Sequence, residues 1–64
     1  MAMKQARFEV YKAKDGWRWA LKAKNGRIIA DSGEAFTTKR GALASVQVVK
    51  DHAASAVIDV VGVV

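Results

Sequence analysis

Polar and apolar residues alternate through Phe8-Glu9-Val10-Tyr11-Lys12, with β-favouring side chains at most positions, so this segment reads as a first strand. Lys14-Asp15-Gly16-Trp17 follows, and Asp-Gly is a strong signal for a two-residue hairpin loop because such loops need positive φ. Trp17-Arg18-Trp19-Ala20-Leu21-Lys22-Ala23 alternates again as a second strand. Lys24-Asn25-Gly26-Arg27 repeats the turn chemistry, and Arg27-Ile28-Ile29-Ala30-Asp31 reads as a third strand. Residues 7–31 are therefore expected to form a three-stranded antiparallel meander.

Two-residue loops at Asp15-Gly16 and Asn25-Gly26 would place Lys12 opposite Trp19, Val10 opposite Leu21, and Phe8 opposite Ala23. Across the second turn, Ala23 would face Ile28 and Leu21 would face Ala30. One face then collects Phe8, Val10, Trp19, Leu21, Ala23, Ile28 and Ala30, and is the expected core face. The other carries Arg7, Glu9, Tyr11, Arg18, Ala20, Lys22, Lys24, Arg27, Ile29 and Asp31. Glu9 would sit opposite Lys22, an opposite-charge pair worth ~0.2–1 kcal/mol.

The apolar period changes after Thr37-Thr38, either of which suits a helix N-cap. Ala42, Val46, Val49 and Ala53 fall on one stripe with Leu43 beside it, which predicts a helix over about 38–54. Gly41 lowers helix propensity in its first turn. Residues 56–64, Ala-Val-Ile-Asp-Val-Val-Gly-Val-Val, are the most β-branched stretch and predict a fourth strand, apolar on nearly both faces. Left as an open edge, that strand would be an aggregation site. One short helix offers little to cover it, so a second subunit is expected, with Val57, Ile58, Val60, Val61 and Val63 at the interface.

The chain has 64 residues and no cysteine, which leaves a single domain with a marginal core and no disulfide or Cys-based zinc staple. That also favours oligomerisation. The net charge of +5 is unevenly spread: residues 1–40 carry ten of the eleven cations and four of the six acids. The N-terminal residues lack the apolar core of a signal peptide, and Asp59 interrupts a C-terminal run far shorter than the ~20 residues of a membrane span. A soluble, cytoplasmic protein without a membrane partner is the expectation.

Phe8-x-x-Tyr11, Asp15-Gly16 and Trp19-x-Leu21-Lys22-Ala23-x-Asn25-Gly26-x-Ile28-Ile29-Ala30 are followed by Thr38-Lys39, Ala42, Val46, Val49 and Ala53. Over residues 7–54 this pattern resembles the YegP-like family of small uncharacterised proteins. The resemblance implies an α+β fold of order β-β-β-α-β. It also implies two units that share one sheet and exchange C-terminal strands, hence a homodimer for a chain with one unit. It implies no catalytic residue.

Candidate chemistry is sparse. His52 has no ligand set around it in the sequence and reads as a structural residue near the helix C-terminus, where positive charge suits the macrodipole. Ser32, Ser45 and Ser55 lack a nucleophile elbow, and the acids are scattered, so no enzyme, metal or cofactor is expected. The polar sheet face is the one binding candidate: Tyr11, Arg18, Lys22, Lys24 and Arg27 could hold single-stranded nucleic acid weakly and without sequence preference. Trp19 is expected in the core, and Trp17 beside the first turn, with Lys12 and Lys14 near enough for cation–π contact. The leading expectation is a small non-enzymatic homodimeric module of unknown biochemical role.

Overall fold

The computed structural model describes residues 5–62. Strand β1 spans Arg7–Ala13, β2 Gly16–Lys22 and β3 Ile28–Asp31, and helix α1 spans Lys39–His52. The strands form one antiparallel sheet of order β1-β2-β3. The α+β class, the meander and the single helix thus follow the hydrophobic pattern.

The first hairpin closes one position earlier on each side than Asp-Gly suggested. Ala13 pairs with Gly16, so the loop is Lys14-Asp15. Val10 therefore faces Trp19, Phe8 faces Leu21 and Lys12 faces Trp17. Each expected partner is displaced by two residues. An even displacement conserves side-chain facing, so the two faces keep their predicted members on these strands. Gly16 has φ +136°, and a Cβ built there would lie 2.6 Å from the Phe36 carbonyl oxygen. Only glycine lets the later chain approach β2 this closely.

The second hairpin departs further. The Gly26 N–H donates to the Ala23 carbonyl at 2.8 Å, and the Ala23 N–H donates to the Arg27 carbonyl at 2.7 Å. Gly26 has φ +90°. This is a three-residue loop with a positive-φ closing residue, the usual alternative to a two-residue loop, and it introduces a register shift at Leu21/Lys22. Leu21 still faces Ala30, as expected, but Ile28 lies opposite Lys22 and not Ala23.

After Asp31 the chain breaks from β3 and then returns to β2. Gly33 N–H donates to Asp31 Oδ1 at 2.9 Å, and the Ser32 hydroxyl donates to the Glu34 carbonyl at 2.9 Å. Ser32 N–H donates to the Trp19 carbonyl, and Trp17 and Phe36 exchange both backbone hydrogen bonds at 2.7–2.8 Å. This bridge brings the chain to the helix start. Thr38 is the N-cap, its hydroxyl accepting from Gly41 N–H at 3.0 Å.

Helix α1 packs on β2 and β1 and makes no contact with β3. The core consequently sits under one half of the sheet. Trp19, Ala42 and Val46 are buried there, with Phe8, Val10, Leu21 and Val49 half-buried around them. Ala42 has no exposed surface, which lets the helix lie close to the strands. Three residues assigned to the core face do not reach this core: Ile28 and Ala30 are exposed and Ala23 is half-buried. The helix does not extend over the third strand, and the longer turn moves Ile28 off the expected register. Ala53, expected on the buried stripe, is exposed because it lies past the end of the helix.

Residues 56–62 pair with no strand of this chain, so the expected fourth strand is absent from the described part of the 56–64 segment. Val57, Ile58, Val60 and Val61 are 79–95% exposed. Val63, also assigned to an interface, lies outside the described residues.

Candidate functional site

The sheet face turned away from the helix is built by the polar half of each alternation. Tyr11 and Arg18 are direct cross-strand partners, and Lys22 follows along β2. Lys24 lies in the second turn, and Arg27 belongs to that loop and not to β3. Of the five residues singled out for nucleic acid, three therefore share the flat of the sheet and two sit at its rim.

The cations on the flat are already engaged. Arg18 Nη2 is 2.6 Å from Asp15 Oδ2, and its Nε donates to Asp15 Oδ1 at 3.2 Å. Lys22 Nζ is 2.9 Å from Glu9 Oε1, and Arg7 Nη2 is 2.6 Å from Glu9 Oε2. The Glu9–Lys22 pair expected from the sequence thus forms, but diagonally, since Glu9 stands opposite Ala20. The hydrogen bond from Lys22 holds the Glu9 carboxyl below its ordinary pKa, and Arg18 does the same to Asp15. The bond to Asp15 raises Arg18 in turn. Asp15, expected to serve the turn alone, is also the counter-ion of Arg18.

The helix-side face carries two tryptophans with different environments. Trp19 meets Phe8 edge to face at 5.4 Å, and its Nε1–H donates to Ser45 Oγ at 3.0 Å. Trp17 lies at the turn end of the same face, half-buried. Lys12 Nζ, from β1, and Lys39 Nζ, from the start of α1, each lie 5.9 Å from its ring centroid. The Lys12 contact is legible from the hairpin, whereas that of Lys39 depends on how the helix docks.

The remaining polar candidates have structural partners. His52 Nδ1 lies 2.9 Å from the Val48 carbonyl, a contact that places the proton on Nδ1. Its sequence neighbour Asp51 instead accepts from Gln47 Nε2 at 2.8 Å. The Ser55 hydroxyl donates to the His52 carbonyl. Among the described residues no group of three or more His, Asp or Glu side chains is arranged to hold a metal ion, and no helix is long and apolar enough to cross a membrane.

The family model described as a domain of unknown function (DUF1508) matches residues 13–59, from the first hairpin through the helix into the tail. The chain belongs to the DUF1508 family. A UPF0339 protein of Treponema denticola is 42% identical over 53 residues, covering 81% of this chain and 90% of the relative. YegP-like proteins are the same group, so the resemblance drawn from the sequence holds. A protein from Haloferax volcanii solved by NMR in solution superposes with a TM-score of 0.81 at 38% identity, covering 92% of this chain and all of that one. The DUF1508 match takes in Trp17, Lys39 and the start of the apolar tail, through Asp59, and leaves Lys12 just outside it.

Proposed function

We propose that this DUF1508 chain acts as a non-enzymatic homodimeric module, in which a second copy covers the C-terminal tail and the open part of the sheet. The observation that carries this reading is the tail itself. Val57, Ile58, Val60 and Val61 are contiguous but for Asp59, and all are largely exposed. Burying one Val or Ile side chain contributes about 1.5–3 kcal/mol, so the four would add roughly 6–12 kcal/mol per copy. That is large enough to offset an association cost of about 4–15 kcal/mol once both copies contribute. The helix leaves β3 uncovered, and among the described residues β3 has no strand beyond it. A partner's tail therefore has both an edge to pair with and a face to cover. Exchange of tails between the copies, implied by the family resemblance, is one way to meet both needs.

The non-enzymatic part of the reading is supported by how the polar groups are used. Ser32, Ser45 and Ser55 are each hydrogen-bonded to turn, tryptophan or helix-end groups, and His52 is held on a backbone carbonyl. The Tyr11 face is less suited to a polyanion than its sequence suggests, because Glu9 and Asp15 would have to be displaced from their cations first.

Sedimentation of the full chain beside a Val60→Asp/Val61→Asp variant tests the dimer. The expected result is twice the 6.9 kDa chain mass for the parent and a single chain mass for the variant. A parent that stays at one chain mass at high concentration, with unprotected amides along the tail, would overturn the reading.

A further inference from the structure

We propose that Trp17, with Lys12 and Lys39, forms a contact site for single-stranded nucleic acid at the turn end of the helix-side face. This site is separate from the Tyr11 face and does not depend on the dimer. Charge accounting points to it first. The ion pairs among the described residues are Arg7–Glu9, Lys22–Glu9 and Arg18–Asp15. Lys12 and Lys39 are not in them, and neither are their chain neighbours Lys14 and Arg40. Positive charge is therefore left outside these ion pairs where β1 and the helix start meet, as it also is at Lys24 and Arg27 in the second turn.

Geometry points to the same place. Two ammonium groups from different elements converge on one indole, each 5.9 Å from its centroid, and neither is in an ion pair among the described residues. Like charges gathered in this way are suited to an anion with more than one charged group. Trp17 is also placed differently from Trp19. The indole of Trp19 is committed to Ser45 and Phe8, whereas that of Trp17 makes no side-chain hydrogen bond among the described residues and keeps part of its surface open. An aromatic plane flanked by cations fits a base on the ring and phosphates on the ammonium groups. A polyacidic peptide would use the cations but gain little from the indole, which is why nucleic acid is the better match.

The test is titration of the full chain with a short oligothymidylate at low salt, following tryptophan emission and repeating at rising salt. Trp17→Phe supplies the emission of Trp19 alone. Binding should quench the parent and leave the Trp17→Phe protein unquenched. Lys12→Gln/Lys39→Gln should weaken binding at least about tenfold and flatten the salt slope by about 1.4, from ~0.7 per single-strand phosphate contact. Arg18→Gln/Lys22→Gln should bind within about twofold of the parent, since those cations serve Asp15 and Glu9. No binding at low salt would overturn the proposal, as would binding indifferent to the Lys12/Lys39 change. Polyphosphate or polyglutamate binding as tightly as the oligonucleotide would overturn the nucleic-acid assignment.

Discussion

The Trp19–Ser45 hydrogen bond ties the middle strand to the helix, and its worth can be isolated by a sign change. Ser45→Ala removes the acceptor of the Trp19 Nε1–H, which lies 3.0 Å away in a tryptophan only 5% exposed. Leaving a buried donor without a partner costs about 1–3 kcal/mol. Alanine at a mid-helix position returns about 0.5 kcal/mol of helix propensity relative to serine. The net loss should be about 0.5–2.5 kcal/mol. In a Trp19→Phe background the donor no longer exists, so only the propensity effect survives. There, Ser45→Ala should stabilise by about 0.5 kcal/mol. Urea unfolding of the four proteins by far-ultraviolet circular dichroism closes the double-mutant cycle. All must be compared at one protein concentration, because self-association would add to apparent stability. An equal loss in both backgrounds would show that the hydrogen bond contributes nothing, and the account of the core would fail with it.

Two further outcomes follow from the turns and the charge pairs. Gly16→Ala should cost more than about 1 kcal/mol and expose the Trp17 and Phe36 amides to exchange, because a Cβ there meets the Phe36 carbonyl at 2.6 Å. Gly33→Ala, where φ is +70° but nothing lies within 4 Å, should cost less; equal costs would remove the close approach as the cause. Glu9 has a folded-state pKa held below its ordinary value by Lys22, so its contribution is present above the ordinary carboxylate range and is lost as pH falls through the depressed value. Glu9→Gln should therefore flatten the acid limb of the urea midpoint against pH, and an unchanged limb would rule out this pair as a source of it.

The parts of the fold that were legible in the sequence are those set by local periodicity. Alternation at 8–12 and 17–22 fixes the first two strands and their facing, and the facing survived because the register moved by an even number of residues. The change to a helical stripe at Ala42, Val46 and Val49 located α1 to within two residues at either end. Asn25-Gly26 was ambiguous because it serves a two-residue loop and a bulged three-residue loop equally well. The contacts that were missed join distant positions. Trp19 and Ser45 are 26 residues apart, Lys39 reaches Trp17 from another element, and Phe36 extends the sheet from a segment with no strand pattern. The tail was expected to need a second copy, and the sequence of one chain holds no register for one.

Ala20 occupies the centre of the middle strand on the side away from the helix, between Glu9 and Asp31, and is nevertheless 5% exposed. Arg18 and Lys22 are its same-face neighbours along β2, so the methyl group is ringed by charged side chains whose apolar stems suit such a place. Three of these four neighbours, Glu9, Arg18 and Lys22, are held in ion pairs. A bulkier residue at position 20 would push between Glu9 and Lys22 and work against their ion pair.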